Sequence, residues 1–193
     1  MGLIVIIGPQ AVGKMTVGKA LEEQINGKLL YNHQTIDLFA NYLGYNQHAF
    51  RLSDMTRKEL FKAFVENRPN NLAEHLIFTV LINFDLDEDI AFLNEISQIF
   101  LTQKEPVYFI ELETDLKTRL ERNVQESRLL AKPSKRDLNF SRKELLNAHQ
   151  QHRLNTSKDE MAQQFPQVHY LKIDNTYLPA DQVASQIVST WFS

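Results

Sequence analysis

Seven residues near the N-terminus, Gly8-Pro9-Gln10-Ala11-Val12-Gly13-Lys14, match the pattern G-x-x-x-x-G-K. They follow a short apolar run at residues 3–7 and precede a helical pattern in which Val17 and Leu21 share one face. A continuous run of aliphatic and β-branched residues is typical of a strand that is covered on both faces, as in a parallel sheet. The segment therefore predicts a strand, a tight turn and a helix, the repeating unit of α/β folds.

Apolar runs and helical patterns alternate along the whole 193-residue chain. We expect strands at residues 3–7, 28–31, 76–84, 107–112 and 168–173. We expect helices after residue 14, with Gly27 closing the first, and at residues 35–43, 52–67 (with Ser53 as N-cap), 85–100, 114–130, 141–164 and 180–191. The pattern predicts one domain over residues 1–193 with a three-layer α/β fold, in which helices flank a five-stranded parallel sheet.

The spacing of the first turn suits a phosphate group. Glycines at both ends let the backbone turn tightly and bring its N–H groups against phosphate oxygens, while the following helix points its positive end at the same anion. Lys14 adds a full positive charge beside them. This Walker A pattern predicts binding of a nucleoside triphosphate, most simply ATP. The expected nucleotide-binding residues are Gly8, Ala11, Val12, Gly13, Lys14, Met15 and Thr16.

One position departs from the common motif, since Met15 stands where Ser or Thr follows the lysine, and Thr16 comes next. The segment thus resembles the phosphate loop of adenylate kinase and related small kinases, which reads G-x-P-G-x-G-K-G-T. This resemblance implies a helical lid and Mg²⁺ bound together with ATP. Thr16 is the expected magnesium ligand in the loop, although Mg²⁺ commonly keeps mostly waters and phosphates as ligands.

A basic lid region is expected at residues 117–143, which hold nine of the 21 lysines and arginines. Phosphoryl transfer spreads negative charge over three oxygens, and arginine supplies a fixed fork of donors to them. The order of strand and R-L-x-R resembles the lid of nucleoside monophosphate kinases, which implies catalytic roles for Arg119 and Arg122. Further candidates are Arg128, Lys132 and Arg136. The alternative is a solvated helix face with ion pairs.

Asp85 follows the most apolar predicted strand and is the expected carboxylate for Mg²⁺ or for the phosphate acceptor, although it could equally cap the next helix. The acceptor is expected in a helical region at residues 33–75, with Asn32, His33 and Arg57 as contacts. His149 and His152 are expected at the surface because no third metal ligand accompanies them.

Across nearly its whole length the sequence resembles the small P-loop kinases, and most closely a bacterial group labelled shikimate-kinase-like or AAA-family ATPases. The matching stretches are residues 8–16, 84–85, 111–112, 119–123 and 132–137. The resemblance implies that the loop with Asp174 and Asn175 packs on adenine. It does not extend to shikimate as the substrate, since Asn32-His33 and Asn83-Phe84-Asp85 replace the aspartate and the glycine triplet of shikimate kinases.

Two functions from different classes fit these features. One is a kinase that transfers the γ-phosphate of ATP to a small-molecule acceptor, and the other is a non-catalytic ATP sensor that recruits a partner protein. An RNA-end kinase fits less well, because the net charge is −3 and the lid region lacks interleaved aromatic residues.

Composition limits the covalent cross-links, the metal sites and the cellular compartment to be expected for the protein. The chain has no cysteine, which excludes disulfides and thiolate metal sites. No apolar run approaches the roughly 20 residues that span a bilayer, and the first residues lack the positive flank of a signal peptide. We expect a cytoplasmic protein without a membrane segment, as a monomer or a homodimer.

Overall fold

The computed structural model describes residues 1–126, 129 and 136–192. The strands are β1 (Gly2–Ile7), β2 (Gly27–Tyr31), β3 (His75–Val80), β4 (Val107–Glu113) and β5 (His169–Asp174). The helices of the described ranges are α1 (Lys14–Gln24), α2 (Asn32–Leu43), α3 (Gln47–Glu66), α4 (Asp87–Leu101), α5 (Leu116–Asn123), α6 (Leu138–Gln151), α7 (Glu160–Gln164) and α8 (Ala180–Trp191).

The five strands form one parallel sheet in the order β2-β3-β1-β4-β5. The first strand lies at the centre, where Val5 is in register with Phe78 of β3 and Phe109 of β4. The predicted α/β fold with five parallel strands is therefore confirmed. Because parallel strands all end at the same edge, the turn after β1 opens beside the ends of β3 and β4.

Both faces of the sheet are covered, which explains why β1 is apolar at nearly every position. Leu3, Val5 and Ile7 pack into a core with side chains of α3 and α4, while Ile4 and Ile6 pack into a second core with side chains of α1 and α8. The predicted three-layer arrangement is confirmed by these two cores. Within the described residues, no helix is both long enough and apolar enough to span a membrane.

Several predicted boundaries differ from the observed ones. The first helix ends at Gln24, so Gly27 does not cap it but begins β2. The third helix begins at Gln47 with Asn46 as its N-cap, and Ser53 is buried inside it, donating to Thr35 Oγ1 at 2.8 Å. Residue propensity alone predicted neither the end of the first helix nor the N-cap of the third, because the choice of cap depends on which polar group the tertiary fold leaves exposed.

The long helix predicted at residues 141–164 is two helices, α6 and α7, separated by a turn at residues 152–159. The carboxylate of Glu111, fully buried on β4, accepts hydrogen bonds from Thr156 N at 2.9 Å, Asn155 Nδ2 at 2.8 Å and Tyr170 Oη at 2.7 Å. These bonds tie the turn to the sheet. They therefore fix the C-terminal end of α6 relative to the strands.

Candidate nucleotide and acceptor site

The loop between β1 and α1 adopts a backbone conformation that only particular residues allow. Gly8 and Gly13 have φ of +150° and +111°, and Ala11 lies in the left-handed region at +59°. A Cβ at Gly8 would come within 2.6 Å of the backbone oxygen of Leu112, so β4 leaves no room for a side chain there. Gly13 stands at the N-cap of α1, where no side chain caps the helix. The first N–H groups of α1 are thus left for an anion.

Lys14 lies at the mouth of this loop. Its Nζ donates to the carbonyl oxygen of Gly8 and, at 2.8 Å, to that of Pro9. The side chain is half-buried. The loop therefore folds around the ammonium group, which stands beside the free end of α1.

A cavity of ≈ 330 Å³ opens over the loop. Of the predicted nucleotide-binding residues, it is lined by Ala11, Val12, Gly13, Lys14, Met15 and Thr16, while Gly8 forms the turn behind them. The other walls are Gln10, Asn32, His33, Ile36, Thr79, Leu81, Arg122, Gln125 and Glu144. The structure brings together the loop, the start of α2, the end of β3, one segment of the lid region (Arg122 and Gln125) and Glu144 of α6.

Arg119 does not line this cavity. It is 3% exposed, and its Nε donates to the carbonyl oxygen of Gln10 at 2.9 Å, so it supports the loop from outside the cavity. Burial lowers its pKa to about 10. The lid role predicted that Arg119 reaches over the cavity. In this conformation it instead holds the backbone of the loop.

Arg122 both lines the cavity and braces the loop. Its Nη1 donates to the carbonyl oxygen of Val12 at 2.9 Å, and its Nη2 donates to that of Asn175 at 2.8 Å. Partial burial lowers the pKa of the guanidinium. The side chain therefore joins the loop to the segment after β5.

Asn175 completes this brace. It is 2% exposed, and its Nδ2 donates to the carbonyl oxygen of Val12 at 2.9 Å while its Oδ1 accepts from Thr114 Oγ1. Asp174 is exposed and accepts a hydrogen bond from Thr176 N at 2.9 Å. The bond from the Thr176 hydroxyl, and then that from its backbone N–H, lowers the pKa of the Asp174 carboxyl group. Neither side chain lines the cavity, so their predicted contact with adenine stays a prediction.

The structure does not bring Asp85 or Arg136 to the cavity. Asp85 is 59% exposed, does not begin α4, and pairs with Arg153 through an Nε–Oδ1 distance of 2.8 Å. Arg136 is exposed and donates from Nε to the carbonyl oxygen of Leu129 at 3.4 Å. Two further lid candidates, Arg128 and Lys132, lie outside the described residues.

Two of the three predicted acceptor contacts line the cavity, and the third does not. Asn32 and His33 line the cavity, and His33 Nδ1 lies 3.4 Å from Asp37 Oδ1. Arg57 is 7% exposed and lines neither cavity described here; its Nε donates to Thr35 Oγ1 at 2.9 Å. Burial lowers its pKa to about 10, despite the charge of Asp54. Arg57 therefore joins α3 to α2 away from the cavity lining, and its predicted contact with the acceptor stays a prediction.

Sequence reasoning missed the contribution of α6. A second cavity of ≈ 460 Å³ lies beside the first and shares Gln10, Leu81 and Glu144 with it. Its other walls are Phe140, Lys143, Asn147, Ala148, Gln151 and His152. Helical spacing puts these positions on one face, but their mixed polarity resembles any solvated helix face, so the sequence carried no clear signal. His152 is exposed, as predicted, yet it borders this cavity and lies 3.2 Å from Asn83 Nδ2.

The residues present fit magnesium only in part. The hydroxyl-bearing Thr16 lines the cavity, whereas Asp85 does not. Among the residues that the structure describes, no group of three His, Cys, Asp or Glu side chains could hold a metal ion. A cation bound here would depend mainly on phosphate oxygens and water, with Thr16 as the protein ligand.

Comparison with known proteins points to the fold. No family model matches the chain, and no curated protein sequence matches it either. A solved protein from Chloroflexus aurantiacus j-10-fl, described as a possible kinase, superimposes with a TM-score of 0.65 at 15% identity, covering 97% of both chains. Shikimate kinase from Acinetobacter baumannii gives a TM-score of 0.56 at 16% identity, covering 100% of this chain and 96% of the other.

A gluconokinase from Sinorhizobium meliloti 1021 gives a TM-score of 0.58 at 13% identity, covering 97% of this chain and 90% of the other. At such identities the likeness concerns the backbone and not the substrate. The strand order, the loop after β1 and these solved structures agree on the fold of the chain. The chain has the α/β fold of the small P-loop kinases, the group that includes shikimate kinase and gluconokinase.

Proposed function

We propose that the protein is an ATP-dependent phosphotransferase that passes the γ-phosphate to a small-molecule acceptor. The observation that carries this proposal is the loop between β1 and α1. Gly13, the uncapped helix end and Lys14 meet at one cavity wall, and the left-handed Gly8 forms the turn behind them. This combination concentrates N–H donors and one full charge where a triphosphate would lie.

The roles of the loop residues follow from their positions. The amides of residues 11–16 and Lys14 would hold the β- and γ-phosphates, with Lys14 exchanging its bonds to Gly8 and Pro9 for bonds to phosphate oxygens. Arg122 borders the same cavity, next to the segment of Asp174 and Asn175, where we place the base. Magnesium bound with ATP would supply charge neutralisation of the phosphates, and Thr16 is the residue that would hold it.

A non-catalytic ATP sensor is the second candidate, and one observation favours it. Asp85, the carboxylate expected to serve the reaction, is paired with Arg153 outside the cavity. A protein that binds ATP and releases no ADP upon addition of any acceptor would be a sensor. The comparison of binding with turnover therefore separates the two candidates.

The test is titration calorimetry with ATP and a coupled assay for ADP release, using Lys14→Ala and its matched control Lys19→Ala. Lys19 lies on the same helix, is exposed and does not line the cavity. Loss of a charge-assisted hydrogen bond should weaken ATP binding roughly 10- to 100-fold in Lys14→Ala and abolish turnover. Lys19→Ala should match the wild type. Equal ATP affinity in the wild type and Lys14→Ala would refute the proposal.

A further inference from the structure

The two adjoining cavities differ in the charge of their walls. Among the described residues, the lining of the cavity over the loop includes Lys14 and Arg122 and one carboxylate, that of Glu144. In the second cavity, Lys143 and Glu144 offset each other, and arginine is absent from its described walls. Because desolvating an anion requires compensating charge, the first cavity suits a polyanion, whereas the second gives an anion little compensation.

Half of the polar side chains that line the second cavity are amides. Gln10, Asn147 and Gln151 line it, and each side-chain amide offers both donors and an acceptor. A hydroxyl group likewise donates and accepts, so amides and hydroxyls match each other. Phosphate and carboxylate groups only accept, and they leave amide oxygens without a partner.

Two amide oxygens of cavity-lining residues lack a hydrogen-bond partner among the residues that the structure describes. Gln10 Oε1 and Asn32 Oδ1 are buried and accept no hydrogen bond from the described residues. Gln10 lines both cavities and Asn32 lines the first. Both oxygens are closed to solvent in this conformation, so they would meet a ligand only after the amide rotates towards the cavity. Such a rotation to a hydroxyl donor would relieve the cost of an unsatisfied buried acceptor, about 1–3 kcal/mol, whereas an anion offers no donor.

Phe140 adds an apolar surface to the same cavity. Its side chain belongs to the start of α6 and is 58% exposed. An aromatic face beside amide groups provides contact area for the C–H face of a ring while the amides bind its hydroxyls. Together with Leu81 and Ala148, it gives the cavity an apolar portion.

We infer that the second cavity receives the acceptor, that this acceptor is an uncharged polyhydroxylated molecule such as a sugar, polyol or nucleoside, and that Glu144 takes its proton. This inference rests on the proposed function. The acceptor hydroxyl oxygen forms a bond to the γ-phosphorus, the bond from that phosphorus to the β,γ-bridging oxygen breaks, and ADP leaves with the electron pair. The hydroxyl proton passes to the carboxylate of Glu144, which lines both cavities at their junction.

The first test compares matched probes in the presence of a non-hydrolysable ATP analogue. Glucose, pentitols, inositol and ribonucleosides are paired with charged counterparts, namely gluconate, glucuronate, sugar phosphates and nucleotides, and binding is followed by saturation-transfer NMR. At least one uncharged probe should bind more tightly than its charged counterpart, and it should stimulate ADP release from ATP. Preference for the charged member of every pair, or no binding of any uncharged probe, overturns the inference.

The second test uses variants with the uncharged probe that binds best. Glu144→Gln should lower kcat about 100-fold, since general-base catalysis contributes about that factor or more, without weakening ATP binding, because the change removes a negative charge from the wall of the loop cavity. Gln151→Leu should raise the acceptor KM. The controls are Glu121→Gln and Gln150→Leu, exposed positions outside both cavities. Wild-type kcat in Glu144→Gln overturns the role of that residue. Failure of the kinase proposal itself would differ, because ATP affinity would then be insensitive to Lys14→Ala.

Discussion

Replacing Gly8 by alanine tests the geometry of the loop most directly. Gly8 has φ of +150°, and an added Cβ would lie 2.6 Å from the backbone oxygen of Leu112. The unfavourable φ costs about 1–3 kcal/mol, and overpacking against an atom that cannot rotate away costs about 1–3 kcal/mol more. Taking about 4 kcal/mol as the middle of the sum, the melting temperature should fall by roughly 12 °C in a chain of this length.

Gly44→Ala is the matched control, because it separates strain from contact. Gly44 also has positive φ, at +74°, but an added Cβ there meets nothing within 4 Å. This variant should lose only the strain contribution, about 2 kcal/mol or roughly 6 °C. Both melting temperatures are measured by circular dichroism, with ATP affinity from calorimetry. Equal losses in the two variants would contradict the close approach of β4 to the loop, and unchanged ATP affinity in Gly8→Ala would contradict its part in phosphate binding.

Three further predictions concern groups around the site. Asn175→Ala should weaken ATP binding roughly tenfold, measured by calorimetry, because the carbonyl of Val12 loses one of its donors; wild-type affinity would contradict this. The hydrogen bond from Arg153 holds the pKa of Glu160 at about 2, below its ordinary value of 4.5. Since the folded-state pKa is depressed, this pair stabilises the fold fully above about pH 4.5 and loses its effect as pH falls towards 2. The melting temperature of Arg153→Gln should therefore fall below that of the wild type at pH 7 and approach it between pH 4.5 and 2; a constant difference would contradict the linkage. Asp85→Asn should leave ATP affinity unchanged, because its carboxylate lies outside the cavity; calorimetry that finds a large loss would restore its predicted role.

Arg57 shows why composition and position in a helix do not by themselves identify a binding residue. Its charge and its place beside the acceptor region made it a candidate, but its guanidinium donates hydrogen bonds to Thr35 and Ser53 inside the protein. Likewise, Nε of Arg119 donates to the backbone oxygen of Gln10. Ser53 lies on the same helix as Arg57, but Thr35 lies on α2 and Gln10 lies 109 positions before Arg119, so no local pattern reveals these two contacts.

The loop between β1 and α1 was predictable from the sequence because every part of it is local. Strand, turn and helix are consecutive within residues 2–24. The apolar run, the spaced glycines and Lys14 are therefore visible together in one short stretch of sequence. The strands β1, β3 and β4 were predictable for a similar reason, since buried parallel strands appear in a sequence as apolar runs.

Only the tertiary structure decided what surrounds that loop. The brace of Arg122 and Asn175 joins residues 53 apart to the carbonyl of Val12 more than 100 positions away. The pairing of Asp85 with Arg153 spans 68 positions, and α6 contributes Glu144 to both cavities from the far side of the lid region. Such contacts arise when elements distant in the chain pack on a common core, and the polar groups that meet there are set by packing and not by any spacing in the sequence.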